Sequence, residues 1–429
     1  MAKTLRNEPS PALLSRAEGR RPGVSRRSFL QKSAVGAAGA AAFSIVPRRV
    51  LGQGQTPPSE EFGAALIGCG GRGGGTFGCL GHGVRRLADC DVKYKDRDGQ
   101  KKGEITYYAD FRDVLERKDI DVVAIATPPG WHALISIAAM EAGKDVVCEK
   151  PMCRTVAEAR AVAETEKRTG RIYQTERKGG YRPDKVRKIF ESGLLKHCES
   201  VYIQRGGFKV KQWSGMVRYA VHDVPPNLDW DMYCGPAPLR PFNPHRFGGS
   251  HRGYWDYENG GLGDMCHHHI HGAAYQLGRD LSAPVEITPY APPAHPEACG
   301  LWGWVEMKYA DGFTLVLESG EWGEPYNRKQ PGKTGEGDLL AMLSEADRKR
   351  LDEMPDPTVG VMFSEAIRTR QRTQANAERS YRVACIYLLA NVAIRCGRPL
   401  KYDPQADRVI GDEEADRLVN QPLRSPWRI

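Results

Sequence analysis

The sequence lacks the cysteine spacing that a disulfide framework or a structural zinc site requires. Its 11 cysteines are odd in number and irregularly spaced, and no CxxC pair occurs. Disulfide-rich scaffolds and small zinc knuckles are therefore excluded. Cys69, Cys148 and Cys385 lie in apolar stretches, where a free cysteine behaves as a small buried residue.

The sequence also lacks an excess of basic residues outside its N-terminal segment, and it lacks a long apolar run. The net charge is +9, but residues 1–52 hold 10 Lys/Arg and 2 Asp/Glu, a balance of +8, which leaves +1 for the rest. A nucleic-acid-binding protein would carry its basic surface on the folded body, so we expect no nucleic-acid partner. Residues 33–46, SAVGAAGAAAFSIV, are rich in Gly and Ala and fall short of the roughly 20 apolar residues of a membrane span. We expect no stable span in the mature protein.

The basic N-terminal segment has a recognisable pattern. Residues 25–32, SRRSFLQK, place Arg26 and Arg27 before the weakly apolar stretch, and this resembles a twin-arginine export signal. We expect residues 1–60 to be signal and linker and the protein to be periplasmic. A disordered basic tail is the alternative. No clear cleavage site follows, so retention of the segment as an anchor stays open.

From residue 62 onward, strands and helices alternate. FGAALI reads as a strand, and it leads into a GxGxxG turn whose backbone N–H groups could approach a pyrophosphate. The predicted cofactor residues of this turn are Gly68, Gly70, Gly71, Arg72 and Gly73. Glycine-rich turns are common, so this signal is weak alone, and GGTFGCLGHG is too glycine-rich for a strong helix.

Asp91 strengthens the nucleotide interpretation. It follows the turn by about 20 residues, where a carboxylate accepts hydrogen bonds from the adenosine ribose. A carboxylate would repel a 2′-phosphate, so NAD is favoured over NADP, although Lys93 and Lys95 keep NADP open. An ordinary surface acid is the alternative for Asp91.

The alternation continues to about residue 180. Residues 121–127, DVVAIAT, and 145–148, DVVC, read as buried parallel strands. Thr155 and Glu158 form a capping-box pattern for a helix that Gly170 ends. We expect an α/β fold with a dinucleotide-binding domain over residues 61–180.

The second half, residues 181–429, reads as an α+β domain. SVYIQRGGF, VEITPYA and WGWVEMKYADGFTLVLESG are alternating strands, and Asp311-Gly312 predicts a hairpin. This pattern favours an open, mostly antiparallel sheet. ANAERSYRVACIYLLANVAIRCG reads as a long core helix.

A histidine-rich segment opens another helix in this half. Asp264, His268 and His271 lie at i, i+4 and i+7, along one face. His267 and His271 with Asp264 could share a zinc ion. Core, surface or substrate-contacting histidines are the better interpretation, so we expect no metal.

Several motifs together resemble one family. They are GCGGRG, AIATPPGWHA, CEKPM and GLGDMCHH, and they are similar to the Gfo/Idh/MocA oxidoreductases, from about residue 62 to the end. PPNLDWDMYCGPAPLRPFNP and the segment from GRPLKYDP to the C-terminus resemble an exported branch. The family has a Rossmann domain and a substrate domain whose sheet often forms homodimer or homotetramer contacts.

The resemblance implies the following site. Lys150, at the end of the last Rossmann strand, lies beside the nicotinamide and reaches the substrate hydroxyl. His268 is the candidate general base and Asp264 orients the hydroxyls or tunes the base; whether Lys150 or His268 takes the proton stays open. His271 is a candidate substrate contact, where many relatives carry an acid. The cofactor contacts implied are Thr127, Pro128, Trp131, His132, Glu149 and Lys150, with Trp230 as a further wall residue.

The sequence therefore predicts an NAD(P)-dependent oxidoreductase that acts on a secondary hydroxyl of a sugar or glycoside. Because an exported enzyme would lose a dissociating cofactor, we expect tightly bound NAD. A redox-neutral glycosidase or lyase that works through a transient keto-sugar is the alternative. A nucleotide-holding or partner-binding protein with weak chemistry is a third hypothesis. Paired catalytic carboxylates of a conventional glycosidase are not evident in the sequence.

Overall fold

Two β-sheets organise the part of the chain that the structure describes. The computed structural model describes residues 61–175, 184–214 and 217–429. The predicted signal and linker, residues 1–60, lie outside these described residues. Within the described ranges, no helix is long and apolar enough to cross a membrane.

The described residues form a seven-stranded and a six-stranded sheet, with the order β3-β4-β2-β1-β5-β6-β7 in the first. All pairings in the first sheet are parallel except the β3–β4 edge. Its strands are β1 (Phe62–Ile67), β2 (Val84–Cys90), β3 (Lys101–Lys102), β4 (Ile105–Tyr108), β5 (Val122–Ile125), β6 (Asp145–Cys148) and β7 (Tyr173–Thr175).

The composition of the central strands explains their position. Strands β5 and β6 are buried along their whole length, as β-branched, apolar strands covered on both faces should be. Strand β2 is polar at its start, and only its last four residues, beginning at Leu87, are buried. The chain order reverses between β1 and β5, so the ligand crevice of a doubly wound sheet should open at their carboxyl ends.

The α-helices of the described residues cover the sheets and connect them. They are α1 (Gly73–Gly78), α2 (Phe111–Glu116), α3 (Pro129–Glu141), α4 (Val156–Thr169), α5 (Lys185–Glu191), α6 (Val210–Trp213), α7 (Trp230–Cys234), α8 (Gly260–Gln276), α9 (Glu336–Ala341), α10 (Glu345–Glu353), α11 (Phe363–Thr369), α12 (Ala377–Cys396) and α13 (Glu413–Val419).

Helix boundaries follow the local signals. The Thr155 side chain accepts a hydrogen bond from the Glu158 N–H, and the Glu158 carboxylate accepts one from the Thr155 N–H. Gly170 ends the helix at φ 65°. The predicted capping box is thus confirmed. Helix α1 has only six residues, which agrees with the low helix propensity of its glycines.

The second sheet has the order β13-β12-β9-β10-β11-β8. Its pairings are antiparallel except β11–β8, which is parallel. The predicted hairpin joins β10 to β11 through Asp311-Gly312. The strands are β8 (Val201–Arg205), β9 (Glu286–Tyr290), β10 (Trp304–Lys308), β11 (Thr314–Glu318), β12 (Leu400–Asp403) and β13 (Arg408–Val409).

Helix α12 joins the two halves into one core. It is buried along most of its 20 residues and packs against α4, α8 and β9. Helix α8, which carries the histidines, and helix α4, which belongs to the parallel sheet, therefore pack against the same helix. The predicted fold, a Rossmann domain with an α+β domain of mostly antiparallel sheet, is confirmed.

Candidate functional site

The carboxyl ends of four parallel strands open onto one cavity of about 690 Å³. Gly68 follows β1, Asp91 follows β2, Thr127 follows β5 and Glu149 follows β6. All four residues line this cavity. The crevice therefore lies at the topological switch point, where doubly wound sheets bind ligands.

The glycine-rich turn is shaped for close approach of a ligand. A Cβ atom at Gly68 would lie 2.5 Å from the backbone carbonyl carbon of Ala126, and φ there is +92°, so a side chain is excluded. At Gly70 and Gly71 an added Cβ would meet no atom within 4 Å. The turn thus packs tightly against β5 and leaves open space over its two middle glycines, which fits a pyrophosphate.

Asp91 is held in place by the turn itself. Its Oδ2 accepts from the Cys69 N–H at 2.8 Å, and its Oδ1 accepts from the Lys93 N–H at 3.1 Å. A carboxylate fixed by backbone donors at the cavity wall fits the ribose end of NAD.

His132 links the ends of two neighbouring strands. Its Nδ1 lies 2.6 Å from the Pro151 carbonyl oxygen, and its Nε2 lies 2.7 Å from the Thr127 carbonyl oxygen. The ring is buried, and this burial lowers its pKa below the ordinary value, despite those two contacts. His132 therefore ties the β5 end to the segment that carries Lys150.

Two buried polar atoms at this edge have no partner in the described residues. They are Thr127 Oγ1 and Glu149 Oε1. The other Glu149 oxygen accepts from Thr76 Oγ1 at 2.8 Å and from Arg72 Nε at 3.1 Å. Because buried polar groups are normally hydrogen-bonded, these orphan atoms fit a site that a polar ligand completes.

Lys150 and Asp264 meet across the cavity from different halves of the chain. Lys150 Nζ donates to Asp264 Oδ1 at 2.7 Å and to the Asp264 carbonyl oxygen at 2.9 Å. Arg252 Nε forms a second ion pair with Asp264 Oδ1, at 3.0 Å. Burial alone would raise the pKa of Asp264, but the Lys150 and Arg252 charges outweigh it and lower that pKa.

His268 occupies the next turn of helix α8 and lines the same cavity. Its ring is exposed in the described structure. Its pKa is lowered, first by partial desolvation and then by the Lys150 charge, against the opposing effect of Asp264. A neutral imidazole at this position can accept a proton. Since Lys150 is held as a donor to Asp264, the geometry favours His268 as the base.

Gly73, His271 and Trp230 do not line the cavity. Gly73 sits under the turn, where a Cβ would lie 2.5 Å from the Gly68 carbonyl oxygen, so it serves packing of α1. His271 is buried against His267, with ring centroids 4.3 Å apart. It shares a helix face with Asp264 but lies about 10 Å further along the axis, which is why the structure does not bring it to the cavity.

Trp230 packs behind the cavity instead of lining it. Its ring stacks on Tyr233 and its Nε1 donates to the Arg240 carbonyl oxygen at 2.7 Å. Trp131 does line the cavity. No group of three or more His, Cys, Asp or Glu in the described ranges is arranged to hold a metal ion.

Sequence reasoning missed part of the cavity wall. Arg252 and Glu258 line it together with His251 and Tyr233. These residues belong to short helical turns and loops without hydrophobic periodicity, so no pattern located them. The available signal was the mixture of charged and aromatic residues in HRGYWDYEN, directly before helix α8.

The sequence matches two family descriptions. Residues 180–429 match "Oxidoreductase family, C-terminal alpha/beta domain", and residues 86–177 match "Oxidoreductase family, NAD-binding Rossmann fold", both of the Gfo/Idh/MocA type. Together they cover the segments that carry Asp91, Lys150, Asp264 and His268, but not the glycine-rich turn before residue 86.

Individual curated relatives match less of the chain than the two family descriptions do together. A glycosyl hydrolase family 109 protein of Shewanella baltica is 29% identical over 220 residues, 44% of this chain and 48% of that protein. A levoglucosan dehydrogenase of Pseudarthrobacter phenanthrenivorans is 49% identical over 59 residues, 14% of this chain and 15% of that protein. The chain thus matches about half the length, or less, of these curated relatives.

A solved structure supports the fold. The WlbA dehydrogenase of Bordetella pertussis, crystallised with NADH and UDP-GlcNAcA, superposes with a TM-score of 0.50 at 13% identity. The superposition covers 80% of this chain and 99% of that one.

Proposed function

Because this chain belongs to the Gfo/Idh/MocA oxidoreductase family, we propose that it oxidises a secondary hydroxyl of a sugar or glycoside with NAD. One observation carries the proposal. Lys150, Asp264 and His268 line the same cavity as the glycine-rich turn after β1. The candidate proton-handling groups therefore face the groove that fits the dinucleotide.

NAD held by the turn of Gly68, Gly70 and Gly71 and by Asp91 would supply an acceptor for the hydride of a carbinol carbon and a donor for its return to a ketone. This chain's residues handle the proton and the charge. Lys150, anchored by Asp264, donates a hydrogen bond to the substrate oxygen and stabilises the negative charge that develops there. His268 takes the hydroxyl proton as a neutral imidazole and passes it to solvent, to which it is exposed. Asp264 holds Lys150 in this orientation.

The experiment starts with the purified protein as isolated. Mass spectrometry of the released small molecule identifies the bound dinucleotide, and the protein is then incubated with a panel of methyl and para-nitrophenyl glycosides of hexoses and N-acetylhexosamines. We expect bound NAD and at least one keto-sugar, trapped as its oxime. An empty nucleotide groove, or weak activity that Lys150→Ala leaves unchanged, would instead favour a nucleotide-holding or partner-binding protein with weak chemistry.

Redox-neutral cleavage of a glycoside is the second candidate function. The similarity to a glycosyl hydrolase family 109 protein over 220 residues favours it. Oxidation at one ring carbon acidifies the neighbouring C–H bond, which allows the glycosidic bond to break before the hydride returns. Release of the aglycone without net accumulation of reduced nicotinamide would select this function over net dehydrogenation.

We also propose that the protein is exported by the twin-arginine route and retains its cofactor. The paired Arg26-Arg27 before Phe29-Leu30 supports this. Periplasmic extraction of cells expressing the full chain, beside an Arg26→Lys/Arg27→Lys variant, tests it. We expect the parent in the periplasmic fraction and the variant in the cytoplasm. Equal distribution of the two would contradict export by this route.

We propose a homodimer or homotetramer as the assembly. Tyr290 and Trp304 stack at 5.1 Å on strands β9 and β10, next to Trp322, and all three rings are partly exposed. An aromatic patch on an open sheet is a suitable self-association surface. Light scattering on the parent and a Trp304→Glu variant tests the proposal: a monomeric parent would contradict it.

A further inference from the structure

Glu258 is a further carboxyl group in the wall of the cavity, in addition to Asp91, Glu149 and Asp264, and it has no role in oxidation as described above. Glu258 has a relative exposure of 1% and lines the cavity. Neither of its carboxylate oxygens has a hydrogen-bond partner among the described residues. His251 Nε2 lies 3.4 Å and Arg252 Nε lies 3.8 Å from Glu258 Oε2. A buried carboxyl at a ligand cavity without donors of its own is completed by a ligand.

The contacts of His251 show what faces the Glu258 carboxyl group. His251 Nδ1 lies against the Gly248 carbonyl oxygen, which can only accept. The proton on the imidazole is therefore assigned to Nδ1, and Nε2 turns its lone pair toward Glu258. An ionised Glu258 would then face a lone pair. A protonated Glu258 would avoid this repulsion.

The surroundings of Glu258 also favour the protonated form of its carboxyl group. Burial raises the pKa of Glu258, and the nearby Asp264 charge adds to this, while His251 and Arg252 oppose it. Tyr233 and Cys299 also face Glu258 from neighbouring elements. Asp264, in the same cavity, is shifted the opposite way. Two carboxyl groups whose environments separate their pKa values are the usual arrangement of an acid and an ionised partner.

We propose that Glu258 is a general acid of this cavity and protonates the leaving-group oxygen of a glycoside whose ring has been oxidised. This assignment rests on the proposed oxidation, because only a keto-sugar has the acidic neighbouring C–H bond. Net dehydrogenation of an alcohol needs a base and no second acid. A neutral carboxyl group is needed when the C–O bond to a basic leaving group such as an alkoxide breaks.

The step balances as follows. His268, neutral again after losing the first proton to solvent, takes the proton from the carbon next to the ketone. The C–H electron pair becomes a C=C bond, and the C–O bond to the aglycone breaks with its pair on oxygen. Glu258 gives its proton to that oxygen, so a neutral alcohol leaves and Glu258 remains as a carboxylate. Water then adds to the C=C bond: Glu258 regains a proton from it and His268 returns one to carbon.

Leaving groups of different basicity test the assignment. A nitrophenolate departs without a proton, whereas a methoxide needs one. For Glu258→Gln we expect release of methanol from methyl glycosides to fall roughly 10³-fold, and release of nitrophenol from the same sugars to fall less than about fivefold, since general acids contribute roughly 10²–10⁴-fold. Glu166→Gln is the matched control: Glu166 is also buried, accepts from the Tyr173 and Ala377 N–H groups, and does not line the cavity.

Each other outcome overturns the assignment. Equal losses in the rates of methanol and nitrophenol release would make Glu258 a structural residue. Unchanged rates for both leaving groups would show that Glu258 takes no part in cleavage of the C–O bond. A parent enzyme that forms the keto-sugar but never releases methanol would overturn the role of Glu258 and leave the proposed oxidation intact. Absence of both oxidation and release would overturn both.

A measurement on the parent enzyme guards against a variant that does not fold. Methanol release should decline at high pH as the acid loses its proton, while nitrophenol release from the same sugar should not. Identical pH profiles for the two leaving groups would contradict a general acid.

Discussion

Lys150 and Asp264, which are 114 residues apart in the chain, form a 2.7 Å ion pair with both side chains less than a tenth exposed. One comes from the end of strand β6 and the other from helix α8. The pair is therefore the point at which the parallel sheet and the second half of the chain form one site.

Lys150→Met should reduce the rate of sugar oxidation by about 10²–10³-fold, because one preorganised donor to a developing oxyanion contributes that much. Lys144→Met is the control, since Lys144 is also buried but donates to the Arg117 and Ile120 carbonyl oxygens away from the cavity. Single-turnover formation of reduced nicotinamide measures both. A similar loss of this rate in both variants would contradict a specific role of Lys150 in the oxidation.

Asp264→Asn should destabilise the protein by about 3 kcal/mol near neutral pH, because Lys150 and Arg252 would remain buried without their carboxylate. The pKa of Asp264 is lowered in the folded state, so its contribution is present above the ordinary Asp value of about 4 and is lost as pH falls through the lowered pKa. Urea unfolding at several pH values measures this. A difference between parent and variant that persists unchanged in strong acid would contradict it.

The pH profile of oxidation should follow His268. Because the pKa of His268 is lowered and a base acts unprotonated, kcat/KM should rise through a pKa below the ordinary 6.5 or so and stay level above it. His268→Gln should remove this ionisation and lower kcat/KM by about 10²–10⁴-fold. His197→Gln, at an exposed histidine outside the cavity, should leave the profile intact. A profile unaffected by His268→Gln would assign the base elsewhere.

Asp91→Asn should weaken NAD binding by about 10–100-fold, since a hydrogen bond to a charged group contributes about 1.5–3 kcal/mol. The same change should narrow the preference for NAD over NADP, because the repulsion of the 2′-phosphate is removed. Calorimetric titration of the cofactor-free protein with each dinucleotide measures both effects. An unchanged ratio of the two affinities would show that Asp91 does not select the cofactor.

Much of the first half could be predicted from sequence because its signals are local. Buried β-branched strands, the capping box at Thr155 and the terminal Gly170 each specify an element without distant contacts. The carboxyl ends of parallel strands then necessarily share one edge. This is why Gly68, Asp91, Thr127 and Glu149 could be assigned to one crevice.

The remainder depended on tertiary contacts that no local pattern encodes. Strand β8 reads like its antiparallel neighbours, but it pairs with β11 in parallel at the sheet edge. Helical spacing placed His271 on the face of Asp264, whereas the cavity reaches only the first turns of α8. Arg252 and Glu258 come from loops and short turns, so only the packed structure brings them beside Asp264.

The transfer of hydride within this cavity can be followed directly with isotope. The purified protein with its NAD is incubated with a glycoside carrying deuterium on its ring carbons, and the nicotinamide is analysed by mass spectrometry after rapid denaturation. We expect one deuterium on the nicotinamide of the parent and a strongly reduced yield for Lys150→Met. Conversion of the sugar with the nicotinamide left unlabelled would contradict the account.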